Sequence, residues 1–136
     1  MQGILRMAHL VFGAIAVVAF LLTGILMSGH DPPVVSMEWG ERLLFSSRHI
    51  YLMCGGIVNL ALSVHYGLPE RVARRGAAVI GSMLVLVSTV LLFFAFFAEP
   101  MAGRSPGLLS NLGLFALFWG VVVYAAVTLR SSGRPA

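Results

Sequence analysis

Lysine is absent from this 136-residue chain, cysteine occurs once, and charged residues of every kind make up only 10% of it. Each shortage excludes something. Soluble domains carry about 25% charged residues, and the few present here cannot clothe a water-exposed surface or grip a phosphate backbone. A water-soluble enzyme, a disordered tail and a nucleic-acid-binding domain are therefore excluded, and no nucleic-acid partner is expected. The single Cys54 rules out an intramolecular disulfide and any CxxC redox or zinc motif. All nine basic residues are arginines against five acids, so the net charge of +4 matters through placement rather than quantity. What the chain does have is apolar surface. Hydrophobic residues make up 59% and the mean hydropathy is +0.94, the composition of a membrane protein.

Four apolar runs, at roughly 8–28, 44–66, 77–98 and 108–129, each come close to the ~20 residues that a helix needs to cross about 30 Å of hydrocarbon. Strand spans are excluded, because the runs lack apolar/polar alternation and four hairpin-length strands cannot close a barrel. The fold expected is all-α: one transmembrane domain over 1–136, an antiparallel four-transmembrane-helix bundle joined by short connections. Turn residues mark those connections: Gly29 with Asp31-Pro32-Pro33, Gly67 with Pro69, and Pro100 with Gly103, Pro106 and Gly107. Pro100 disfavours helical geometry at Glu99, so the third helix is expected to stop there, and Ser110 or Ser105 is expected to cap the fourth. The first run follows Arg6 but is too long for a signal-peptide core, and is read as an uncleaved helix.

Arginine placement suggests the direction. Arg6, Arg71, Arg74, Arg75, Arg130 and Arg134 fall on one side of such a bundle, against Arg42, Arg48 and Arg104 on the other. The positive-inside bias then predicts two cytoplasmic termini. Trp39 and Tyr66 sit where interfacial aromatic anchors are expected.

Each helix also carries a stripe of small and polar residues at spacings of three, four and seven, which 3.6 residues per turn gather on one face. His9, Gly13, Ala16, Phe20, Thr23, Gly24 and Met27 form the first, and His49, Met53, Gly56, Asn59, Leu60 and Ser63 the second. Ala78, Gly81, Ser82, Ser88, Thr89 and Glu99 form the third, and Ser110, Gly113, Ala116, Gly120, Tyr124 and Thr128 the fourth. In lipid, helices associate through small residues and hydrogen bonds, so these stripes are the expected interior.

The candidate polar functional cluster is Arg48, His49, Glu99, Asn59 and His30. Arg48 lies about one turn inside the interface, where an ionisable side chain marks a functional candidate, and Glu99 is expected at the same level as its partner. Asn59 needs a partner in hydrocarbon and either joins helices or holds a ligand. Four histidines raise the question of haem b, which requires two imidazoles at one depth, both facing inward. His30 and His49 share the outer level, but His30 follows Gly29 in a loop. His9 and His65 share the inner level, but His65 lies about 160° from His49 around the helix and so away from the stripe. No cofactor and no metal site are predicted, with haem b on these histidines as the alternative.

The segments Ser47-Arg48-His49-Ile50-Tyr51-Leu52, with Asn59-Leu60 downstream, and Ala95-Phe96-Phe97-Ala98-Glu99-Pro100 resemble a group of small four-helix bacterial inner-membrane proteins. That resemblance implies the architecture and a bacterial inner (plasma) membrane, and brings no activity. Together these features suggest a non-enzymatic accessory or subunit-type bundle, partnered by the lipid bilayer and by a further copy or a larger membrane complex. The alternatives are a haem- or quinone-linked redox protein and a small-solute transporter working as an oligomer.

Overall fold

The computed structural model describes residues 1–69, 71–101 and 107–132. Within them the chain forms four long helices, α1 (Gln2–Ser28), α2 (Trp39–His65), α3 (Val72–Met101) and α4 (Leu108–Ser132), with one short 3-10 turn at Val34–Ser36 between α1 and α2. An apolar run favours a helix because in hydrocarbon every N–H must find its carbonyl within the segment. Three of the helices, α1, α3 and α4, are long and apolar enough to cross a membrane, whereas α2 falls short of that apolarity. Its run is interrupted by Arg48, His49, Asn59 and His65.

The helices exceed the runs that announce them. α1 begins at Gln2 rather than near 8, α2 at Trp39 rather than near 44, and α3 covers Val72–Met101 rather than 77–98. α4 reaches Ser132 rather than 129, and α2 ends one residue early, at His65. Hydropathy measures the length of hydrocarbon to be crossed, whereas the 27 residues of α1 rise about 40 Å. Arginine and glutamine are adequate helix formers, so the hydrogen-bond ladder runs on into the polar flanks. Pro100 does not stop α3, which continues to Met101. In the last turn a proline removes only one ladder bond, to the Phe96 carbonyl.

Consecutive helices run antiparallel. His9 meets Asn59 while Thr23 meets His49; Arg48 meets Glu99 while Asn59 meets Thr89. α2 and α3 form the middle of the assembly. α1 packs on α2 and lightly on α3, α4 packs on α3 and lightly on α2, and among the described residues the backbones of α1 and α4 stay apart. The section is thus a rhombus with α2 and α3 on its short diagonal. The apolar residues left outside, including Ile15, Leu22 and Ile25 on α1 and Phe115, Phe118 and Trp119 on α4, are exposed, as lipid-facing side chains are.

Small residues set the closest approach. A Cβ on Gly81 of α3 would lie 2.8 Å from the Gly120 carbonyl, and one on Gly120 of α4 would lie 2.8 Å from the Gly81 carbonyl. Only glycine at both positions lets these backbones touch, and such contact replaces the hydrophobic drive that lipid does not supply. Towards the same end of the bundle Leu5, Tyr66, Ala78 and Tyr124 form a buried core. Tyr66 is therefore no interfacial anchor. It is 5% exposed and its ring stacks on Tyr124, because α2 ends by turning this residue back beneath α3 and α4. Trp39 is exposed at the start of α2.

Candidate functional site

The polar stripes face inward, and they sort into two layers separated by roughly 16 Å, the rise from Arg48 to Asn59.

The deeper layer is centred on His9, which is completely buried. Its Nδ1 lies 2.6 Å from Asn59 Oδ1 and its Nε2 lies 2.7 Å from Ser82 Oγ. The Asn59 amide nitrogen donates to the Gly55 carbonyl at 2.9 Å and to Thr89 Oγ1 at 2.7 Å, and Thr89 in turn donates to the Val85 carbonyl. These partners fix the proton positions. A carbonyl only accepts, so Asn59 must direct its NH2 towards Gly55 and its oxygen towards His9. His9 therefore carries its proton on Nδ1 and donates it to Asn59, while bare Nε2 accepts from the Ser82 hydroxyl. The result is a one-way chain, Ser82 to His9 to Asn59 to Thr89 to Val85, which ties α1, α2 and α3 together. Bonds in such a chain polarise one another in a low dielectric. Next to it Tyr66 lies with its ring 5.6 Å from that of His9, and its hydroxyl is buried with no hydrogen-bond partner among the described residues. The Tyr124 hydroxyl instead bonds both the N–H and the carbonyl of Gly67, holding the α2–α3 connection against α4.

At the other end Arg48 and Glu99 form an ion pair with Nε 2.9 Å from Oε2, both side chains being nearly buried. A second Arg48 nitrogen donates to Ser47 Oγ. The other Glu99 oxygen accepts the backbone N–H of Ser110 at 2.9 Å. Ser110 is in the first turn of α4, so the carboxylate caps that helix and faces the positive end of its dipole. Ser110, one of the two serines expected to cap α4, supplies an N–H to this acid rather than the cap; the other, Ser105, lies outside the described residues. Gly107 permits the geometry, because a Cβ there would collide with the Glu99 carboxylate.

The five residues of the expected cluster do not converge. Arg48 and Glu99 meet. His49, one residue on, points to α1, where Nδ1 is 2.9 Å from Thr23 Oγ1 and the ring stacks on Phe20 with centroids 4.0 Å apart. Thr23 donates to the Phe20 carbonyl, so it accepts from His49 Nδ1–H and leaves Nε2 as a bare acceptor. Adjacent residues on a helix point about 100° apart, which is why Arg48 and His49 serve different neighbours. His30 is exposed and bonds the Pro32 carbonyl, and Asn59 belongs to the deeper layer. His65 is exposed and bonds the Ala61 carbonyl of its own helix. Exposed Cys54 lies on the opposite face of α2 from the polar stripe. Among the described residues no three His, Cys, Asp or Glu side chains gather as a metal site would require.

Sequence reasoning places His9, Asn59, Ser82 and Thr89 each on an inward stripe without joining them. The available signal is that the stripes of α1, α2 and α3 carry polar groups at matching depth. No protein-family model, curated protein or solved structure matches the chain.

Proposed function

We propose that this protein is a non-enzymatic subunit or accessory component of a bacterial inner membrane, crossing it four times with both termini in the cytoplasm. The observation that carries this reading is how the interior hydrogen-bonding capacity is used. Both ring nitrogens of His9, both ends of the Asn59 amide and both carboxylate oxygens of Glu99 are occupied by neighbouring helices. Groups engaged in this way join helices; a substrate path requires polar groups that face a ligand. In this reading α2 crosses as the sheltered member, its polar residues turned to α1 and α3. The arginine split orients the bundle, and the resemblance of the Ser47–Leu52 and Ala95–Pro100 segments supplies the bacterial setting. The outward apolar faces of α1 and α4 meet lipid and a further subunit, either a second copy or a larger complex.

The test is the molecular mass of the full chain in mild detergent and in lipid nanodiscs, measured by light scattering. Masses above that of one chain are expected. A persistent monomer with nothing co-purifying would overturn the reading.

One observation favours a redox alternative using haem b or a quinone: Nε2 of His49 is a bare acceptor beside the Phe20 ring. Pigment or quinone recovered with the protein, and lost in His49→Ala, would establish it.

A further inference from the structure

At the end of the bundle where α1 finishes and α2 begins, the 3-10 turn stands off the two helices and leaves a cavity of about 390 Å3. Its size falls within the range of small-ligand sites. One wall is apolar, formed by Gly24 and Met27 of α1 with Val34 and Val35 of the turn. The other is polar and comes from α2, with Arg42 and Ser46 one turn apart on the same face. Arg42 is exposed and is tied only by a long 3.5 Å contact to the Val35 carbonyl. Among the described residues Arg42 forms no ion pair, so its charge has no carboxylate in contact.

The surroundings narrow the ligand. Glu38, the residue that precedes α2, lies four positions before Arg42 and so on its side of the helix. Asp31, Glu38 and Glu41 are all exposed in this segment, against the single exposed cation Arg42. An anion alone would be attracted by Arg42 and repelled by these acids; a zwitterion with an outer amine satisfies both. The apolar wall continues into Ile25 and Leu26 of α1, which are exposed on a helix apolar enough to span a membrane. A ligand seated here thus has its polar head at the helix ends and its tail beside lipid.

We propose that this cavity is a headgroup site for an aminophospholipid of the phosphatidylethanolamine type. Arg42 and Ser46 hold the phosphodiester, Glu38 receives the ammonium, and the acyl chains leave along Met27 and the outer face of α1. The site rests on the membrane setting of the reading above but not on its subunit role, since it uses none of the hydrogen bonds that join the helices.

The experiment is native mass spectrometry of the full chain in detergent, titrated separately with phosphatidylethanolamine, phosphatidylglycerol and phosphatidylcholine of matched chains. Phosphatidylethanolamine is expected to bind about tenfold tighter than the other two, the worth of one charge-assisted hydrogen bond. Arg42→Gln should weaken it about tenfold for the same reason, and Glu38→Gln should bring it to the level of phosphatidylglycerol. Both residues are exposed, so the thermal midpoint of each variant should match that of the parent, which separates loss of the site from loss of the fold. Equal retention of the three lipids, or phosphatidylethanolamine binding unmoved by Arg42→Gln, would overturn the proposal. So would tight binding of phosphoethanolamine alone, which would make the ligand a soluble zwitterion rather than a lipid.

Discussion

His9 and Asn59, fifty positions apart in the chain, share a 2.6 Å hydrogen bond in the interior, and the donor is His9. The direction follows from Asn59 donating to Gly55 and Thr89 on its other side. Polar groups that would each be costly in hydrocarbon thereby become the joint between α1 and α2. Asn59→Leu orphans the His9 donor, and an orphaned buried donor costs roughly 1–3 kcal/mol. Thermal unfolding in detergent should show that loss. The double variant with His9→Leu should lose less than the sum of the single changes, by about 0.6–1.7 kcal/mol, the range of membrane hydrogen-bond couplings. Strictly additive losses would mean that the bond does not join the helices.

Arg48 and Glu99 present a sharper case. Glu99→Gln keeps an acceptor for the Ser110 N–H but leaves Arg48 charged and nearly buried. Breaking one partner of a buried pair costs about 3–5 kcal/mol, and an exposed pair only about 0–1. Exposures of 8% and 7% favour the upper figure. The Glu99→Gln and Arg48→Gln effects should be markedly non-additive when combined; additivity in urea or thermal unfolding counts against the pair.

The α3–α4 contact depends on Gly81 and Gly120. Gly120→Leu drives a side chain into the α3 backbone, and overpacking of this kind costs about 1–3 kcal/mol. Gly76→Ala supplies the control. It lies in α3, where an added Cβ meets nothing within 4 Å, and should stabilise by up to about 1 kcal/mol through helix propensity. Equal effects of the two changes would show that the glycines do not set the approach.

Reporter fusions read the topology. Fusions after Ala136 and within Arg71–Gly76 are expected to report cytoplasm, and a fusion near Val35 the outside, following the six-to-three arginine split. A C-terminus reported outside would refute the orientation, and Val35 and Arg71–Gly76 fusions reported on the same side would refute the crossing of α2, which lies between them.

Protein purified from a haem-replete host is expected to be colourless. Bis-histidine ligation needs two imidazoles with open nitrogens at one depth. Both nitrogens of His9 are engaged, His65 and His30 are exposed, and only His49 keeps an inward-facing open Nε2. A stoichiometric Soret band lost in His49→Ala would promote the redox reading; loss in His9→Ala instead would mean that the Ser82–His9–Asn59 chain opens to admit the cofactor.

Composition and period determined a good deal by themselves. Four apolar runs with short, turn-rich connections dictate four antiparallel helices, and the inward stripes follow from spacing, because 3.6 residues per turn is a property of the backbone. The Arg48–Glu99 pairing was also readable, since Glu99 sits on the α3 stripe and Arg48 at the edge of the α2 stripe, at helix ends of the same level. Only the tertiary structure decided the rest. Hydropathy reports hydrocarbon thickness rather than hydrogen bonding, so helix ends fell up to six residues from the limits of the runs. Whether His49 joins Arg48 or Thr23 depends on the rotation of α2 against two neighbours at once, which periodicity within one helix does not contain. The same rotation brings His9, Asn59, Ser82 and Thr89 from three separate stripes into one chain of hydrogen bonds. It also sets α2, whose sequence is the least apolar of the four helices, between α1 and α3, which carry the partners for its polar groups.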